Sequence, residues 1–283
     1  MRVTLLGTGG PRPDPDRQGP ATLVEADGFR LLFDAGRGVA TQLARADLTV
    51  EELDAVFITH HHFDHIGGLG DLLMAAWNWG RRRPLPVYGP PGTADVVAAL
   101  FENLYAADIR YRIREGEISG PLIEHPSSLV EATDLDSGTV ELGPVRIVVG
   151  RVEHGEAALG LTDDEWVAVG YRTETGDRSV TISGDTAGGR DLARLARDTD
   201  ALVICCYLAG QEIDSDQTRF LSEHVLAGAP QVAEIAVTSR CRHLVLTHIR
   251  QKSPALIKAM VEDIGSRFSG RITVGQDLLA LEV

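Results

Sequence analysis

An α/β fold is predicted, on three observations. Strand-like and helix-like stretches alternate along most of the chain. With 283 residues and 43% hydrophobic content it can bury a large core as one domain over residues 1–283. The third observation is that His60 to His65, His154, Asp185 and His248 each follow the C-terminal end of a predicted strand. In layered α/β folds such ends bring together residues that are far apart in sequence.

Residues 3–6 read as a strand that ends in Gly7-Thr8-Gly9-Gly10, followed by a Pro-rich surface loop over 11–20. The glycine turn lacks the Lys and the spacing of a nucleotide-binding P-loop. Residues 22–26 and 29–33 flank Asp27-Gly28, which predicts a hairpin because Asp-Gly suits the positive φ angles of a type I′ turn. Asp34, at the end of the second strand, is either an ordinary turn residue or a carboxylate that orients a ligand histidine. Residues 39–46 are helical, and 55–58 form a buried strand. A helix over 69–79 carries Trp77 and Trp79 as packing residues, and Arg81-Arg82-Arg83 reads as a solvated loop face. After a strand over 85–88 and Gly89-Pro90-Pro91-Gly92, Thr93 caps a helix that runs to 105.

From 107 to 137 the periodicity is poor, and Pro121 and Pro126 interrupt it; an inserted loop or lid is expected there. Strands over 139–142 and 145–149 lead toward His154-Gly155. Strands over 166–173 and 179–183 pair through Gly176-Asp177, and the second stops at Gly184-Asp185. A buried strand follows over 201–205, then a helical stretch over 221–237 and a strand over 243–247 that ends at His248. A helix from Ser253-Pro254 to 265 and strands over 272–274 and 278–283 complete the chain.

The net charge of −14 and pI near 5.0 argue against a nucleic-acid partner, because such binding ordinarily rests on a basic face that displaces counterions. The three cysteines, of which Cys205 and Cys206 are adjacent, offer no disulfide framework and point to a reducing, cytoplasmic compartment. No apolar stretch is long enough for a membrane span.

The chemistry concentrates in Thr-His-His-His-Phe-Asp-His-Ile-Gly-Gly, residues 59–68. On a turn that starts extended, residues two apart face the same way, so His60 and His62 can close on one ion while Asp64 and His65 reach another. Together with Val-Glu-His-Gly around His154, Ser-Gly-Asp-Thr around Asp185 and Leu-Thr-His-Ile-Arg around His248, this pattern resembles the metallo-β-lactamase fold superfamily. Leu-Leu-Gly-Thr-Gly-Gly-Pro-Arg-Pro near the start and Leu-Leu-Phe-Asp-Ala-Gly-Arg-Gly at 31–38 are similar to its ribonuclease Z and arylsulfatase-like phosphodiesterase branch.

The resemblance implies an αββα sandwich, with two mixed, mainly antiparallel sheets face to face and helices outside. It implies that His60, His62 and His154 hold one metal, that Asp64, His65 and His248 hold a second, and that Asp185 bridges them. Zinc is the first choice for a His-rich set without Cys, with manganese or iron tolerated. Two such ions can share a water, lower its pKa toward about 7 and hold it as hydroxide beside an electrophile.

A small ester, either a phosphodiester or an aryl sulfate, is the expected substrate, with a lactone or other cyclic carbonyl as the alternative. tRNA 3′ processing and iron-dependent oxygenation rank behind both. Asp64 and His224 are the candidate catalytic side chains. In the branch a late histidine, here His224, is expected to protonate the leaving oxygen; its other reading is a surface residue at a helix start. The branch supports that histidine with a His-Glu pair where this chain has Ile204-Cys205-Cys206-Tyr207. Dimers are common in the branch, so a homodimer is part of what the resemblance implies.

Overall fold

The computed structural model describes residues 1–283. One sheet contains β1 (Arg2–Gly7), β2 (Ala21–Ala26), β3 (Phe29–Phe33), β4 (Ala55–Phe57), β5 (Leu85–Gly89) and β6 (Val130–Asp134). The other is built from β7 (Gly138–Leu142), β8 (Val145–Arg151), β9 (Val169–Thr175), β10 (Arg178–Ile182), β11 (Ala201–Cys205), β12 (His243–Thr247) and β13 (Arg271–Val274). The last strand, β14 (Leu279–Glu282), returns to the first sheet beside β1. Each sheet has seven strands, ordered β14-β1-β2-β3-β4-β5-β6 and β13-β12-β11-β10-β9-β8-β7. Both are mixed: β14 to β3 and β7 to β10 pair antiparallel, whereas β3 to β6 and β10 to β13 pair parallel. More of the paired residues lie in antiparallel ladders.

Strand periodicity explains the layering. In β11, Ala201 and Val203 face the space between the sheets, while Leu202 and Ile204 face outward into a second apolar cluster. β3 and β4 repeat this, with Leu31, Phe33, Ala55 and Phe57 inward and Leu32 and Val56 outward. Side chains of period two that are apolar on both faces need cover on both. The inner faces cover each other, and each buried Val, Leu or Phe stabilises the sandwich by about 1.5–3 kcal/mol. Helices cover the outer faces.

On the first sheet these helices are α1 (Val39–Arg45), α2 (Phe63–Ile66), α3 (Leu69–Asn78), α4 (Thr93–Ala99) and α5 (Ala106–Ser119). α6 (Glu156–Leu159), α7 (Arg190–Leu195), α8 (Asp216–His224), α9 (Ala229–Ser239) and α10 (Pro254–Gly265) belong to the second half. Leu43, Leu69 and Leu72 pack on the first sheet, and Leu192, Val232 and Met260 on the second. The layers are helix, sheet, sheet, helix.

The Asp27-Gly28 hairpin has positive φ at both residues, 46° and 84°, as a type I′ turn requires. Other expectations are corrected. Residues 107–137 are not a loop: they contain most of α5, a short 3₁₀ turn at Pro126–Ser128, and β6, which extends the first sheet. Only Ile109 and Gly116 of α5 are buried, so the helix lacks the apolar period that marks others. The stretch over 221–237 is two helices, α8 and α9, separated at Val225–Gly228. Trp77 packs and donates its indole N–H to Glu124, but Trp79 is 77% exposed. Arg81 is buried and donates to the carbonyls of Glu51, Leu53, Arg83 and Pro84, so it ties loops together instead of facing solvent.

Candidate metal centre

The strand directions place the predicted residues at one edge. β3 and β4 are parallel, so Asp34 and the Thr59–His65 segment leave the first sheet together. β10 and β12 run the same way through β11, and β8 runs with them because β9 is antiparallel to both. Asp185, His248 and His154 therefore leave the second sheet on one side. The amide of Val169 donates to the carbonyl of Thr59 at 2.9 Å, joining the two sheets at this edge.

Two donor groups form there. His60, His62, His154 and Asp185 offer ligand atoms all within 4.8 Å of one another, and so do Asp64, His65 and His248. His60 Nε2 lies 2.9 Å from His62 Nδ1, which lies 3.1 Å from His154 Nε2. A tetrahedral ion with bonds of about 2.0 Å would space its ligands about 3.3 Å apart, close to what is seen. Asp185, a member of the first group, also stands beside the second: its Oδ2 lies 4.0 Å from His60 Nε2, 3.4 Å from His65 Nε2 and 3.2 Å from His248 Nε2. His61 points away and pairs with Thr93 Oγ1 at 2.8 Å, as alternation requires.

The surrounding contacts set which nitrogens face the centre. Asp34, whose role the sequence left open, orients His65: its Oδ2 accepts the Nδ1–H of His65 at 2.8 Å, while its two oxygens also accept the amide and hydroxyl of Thr59. Because the Thr59 hydroxyl donates to Asp34, its oxygen accepts the Nδ1–H of His60 at 3.0 Å. His154 Nδ1–H donates to the carbonyl of Val225 at 2.7 Å. Each bond places the proton on Nδ1 and turns Nε2 inward as the atom available to an ion. Asp34 and His248 hold positive φ, 61° and 52°, a strain that non-glycine residues keep where the surroundings over-determine them. Gly184 is required: a Cβ there would come 2.7 Å from Thr59 Cβ.

The electrostatics suit a cation. Burial pushes His60 well below its ordinary value, and His62 falls to about 4 through desolvation and its neighbour His154. His154 is lowered by burial too. These three imidazoles are thus neutral and ready to ligate. Burial disfavours charge at Asp185 and His65 alike, but His248 and His65 outweigh it at Asp185, and Asp185 and Asp34 outweigh it at His65: the carboxylate stays well below and the imidazole well above the usual range. Asp185 Oδ1 and His65 Nε2 are buried without a hydrogen-bond partner. A bound cation would satisfy both, so the residues present fit a two-metal site.

His224 is the last residue of α8, not a helix start; it is exposed, its ring lies tilted 5.0 Å from that of Phe220, and it has no carboxylate bonded to it. It lies outside both donor groups but adjoins Val225, which holds His154. Cys205 and Cys206 are fully buried, and burial raises both thiols, Cys206 to about 12; they do not act as nucleophiles. Sequence reasoning missed Trp166, read as a strand residue, whose ring lies 4.6 Å from His62 and 5.7 Å from His60.

This sandwich and its two-metal-ion site define a class of metal-dependent hydrolases, and the chain belongs to the metallo-β-lactamase superfamily: the β-lactamase superfamily domain matches residues 29–249. Among individual proteins, it is 36% identical over 298 aligned positions to a protein named ribonuclease Z from Mycobacterium bovis (strain BCG / Pasteur 1173P2), covering 100% of this chain and 98% of that one. The fold matches the metallo-β-lactamase fold protein YhfI from Bacillus subtilis with a TM-score of 0.74 at 18% identity, covering 100% and 98% of the two chains. It also matches the short form of human tRNase Z with a TM-score of 0.72 at 24% identity, covering 100% and 99%.

The first of these overturns the expectation that a nucleic-acid partner is unlikely. Net charge sums the whole surface, whereas phosphate contacts depend on local charge. The rim beside His248 carries Arg12 and Arg250 despite the total of −14. No helix is long and apolar enough to cross a membrane.

Proposed function

We propose that the chain is a two-metal phosphodiesterase and that RNA is among its substrates. The observation that carries this reading is the pair of donor groups sharing Asp185 in a chain matched end to end by a ribonuclease. His60, His62 and His154 would hold one ion, Asp64, His65 and His248 the other, with Asp185 between them. Five imidazoles, two carboxylates and no thiolate favour zinc, with manganese or iron as alternatives. When bound, such ions supply Lewis acidity and a water acidified toward a pKa of about 7.

The chain's own residues do the rest. Asp34 and the Val225 carbonyl keep Nε2 of His65 and His154 aimed inward. Trp166 packs its ring against His62 at 4.6 Å and helps to fix that imidazole. His224, one residue from the carbonyl that holds His154, donates a proton to the leaving oxygen. The buried free thiols of Cys205, Cys206 and Cys241 fit a reducing compartment, and the cytoplasm is where we place the protein.

The test is a panel of bis-p-nitrophenyl phosphate, p-nitrophenyl sulfate, a lactone and a precursor tRNA with the zinc-loaded protein. Turnover of the phosphate diester and cleavage of the RNA are expected. Turnover of the sulfate or the lactone with neither phosphodiester cleaved would overturn the reading.

A further inference from the structure

Beside the Asp64, His65 and His248 group a groove of about 310 Å³ opens, lined by Gly10 to Asp14 on one side and by Tyr207 and Ile249 to Gln251 on the other. Its walls adjoin His248. A Cβ on Gly10 would come 3.0 Å from His248 Cε1, the Tyr207 ring lies 5.8 Å from the His248 ring, and the Ile249 amide donates to the Thr8 carbonyl at 2.9 Å.

The groove is held in shape and positively charged. Arg250 lies 5.6 Å over the Tyr207 ring and donates Nε to Glu212 at 3.1 Å. Lys252, whose side chain is fully enclosed, donates to Glu212 and to the Tyr207 carbonyl. Glu212 thus balances only one of two cations, and although Arg250 also gives Nη2 to Glu212, its guanidinium, which lines the groove, has donors left over because it carries five. Opposite, the exposed Arg12 has no ion-pair or hydrogen-bond partner for its guanidinium, and Arg37 fixes its backbone by donating to the carbonyls of Gly10 and Arg12 at 3.0 and 3.1 Å. Asp14 is the only carboxylate in the lining, and it accepts the Asp16 amide at 2.9 Å.

We propose that this groove is an anion subsite, in which Arg12 and Arg250 take a second phosphate of the substrate, adjacent to the phosphodiester at the metal centre. This rests on the phosphodiesterase reading and narrows it: the preferred substrates carry a further phosphate beside the scissile one, as an oligonucleotide does and an isolated diester does not. Two facing guanidiniums suit a phosphate because each can donate two parallel N–H bonds to its oxygens.

The test uses the zinc-loaded full chain and the p-nitrophenyl diester of thymidine 5′-phosphate, with and without a 3′-phosphate, alongside the isomeric pair with the two positions exchanged. Wild type is expected to show a KM about tenfold lower for the extra phosphate in at least one pair. Arg12→Ala should abolish that ratio, Arg12→Lys should restore part of it, and Arg250→Gln should reduce it. Inhibition by thymidine 3′,5′-bisphosphate, compared with the monophosphates, reads the same site without turnover and should weaken in parallel. Turnover of both members of each pair at equal KM, or a ratio indifferent to Arg12→Ala, would overturn the subsite while leaving the phosphodiesterase reading intact. Turnover of no diester would overturn both.

Discussion

The two donor groups of the centre differ in charge and in cover. His60, His62 and His154 are imidazoles alone, and His62 is exposed; Asp64, His65 and His248 include a carboxylate, and all are buried. Behind the first group stand a hydroxyl and a backbone carbonyl, from Thr59 and Val225. Behind His65 stands the carboxylate of Asp34. A dication in the first group therefore depends on Asp185 for its nearest negative charge, whereas one in the second has Asp64 and Asp34 as well. A bridging carboxylate offsets the mutual repulsion of two ions, and here the all-imidazole group depends on it more.

The largest effect comes from removing that shared carboxylate. Asp185→Ala should empty the His60, His62 and His154 group first and cost several kcal/mol of transition-state stabilisation, about 10³–10⁵-fold in kcat/KM for a phosphodiester. Metal analysis beside the kinetics checks the order of loss; equal retention of both ions would remove the asymmetry. Next is His224→Ala, which should leave both groups loaded. Hydrolysis should slow by about 10²–10⁴-fold where the leaving oxygen is basic and little for p-nitrophenolate. An equal loss for both leaving groups, measured across an ester series, would assign His224 to positioning.

Asp34→Asn sharpens the contrast from the other side. It exchanges the charged partner of His65 Nδ1 for a neutral one and should weaken the second group by about 10–100-fold in metal affinity, and the first group less, since Asp34 reaches His60 only through Thr59. Competition against a chelator measures this, and an equal loss from the first group would contradict the division. The smallest effect is expected at Tyr171, whose buried hydroxyl donates across the sandwich to the Ile58 carbonyl at 2.6 Å. Tyr171→Phe leaves that carbonyl unsatisfied just before the ligand segment. A loss of about 1–3 kcal/mol of stability is expected, read by urea unfolding, with both metals retained.

The candidate ligand segment was legible in the sequence for a physical reason: six of the positions at 59–65 are polar or ligating and follow a strand buried on both faces, so alternation sets His60 and His62 on one side. His154, Asp185 and His248 each follow a strand end, but their assignment as ligands came from the resemblance. Side chains whose roles depend on tertiary approach were not legible. Asp34 shows its role only when β3 and β4 lie side by side, and Trp166 lies over His62 only because β9 begins at Val169 instead of earlier. The break between α8 and α9 did leave a signal, Gly228 at the N-cap with Pro230 in the first turn, which the apolar run around it obscured. The Arg12 and Arg250 groove joins segments that are more than two hundred residues apart and left no local pattern, so the whole-chain charge misled on nucleic acid.

The most direct measurement is the metal content of the wild-type chain after saturation with zinc and removal of unbound ion, together with the same measurement on His154→Ala. Two ions per chain in the wild type, and one in a variant that keeps the Asp64, His65 and His248 group, are the predicted results. A saturated wild type with one ion or fewer would contradict the two-group centre.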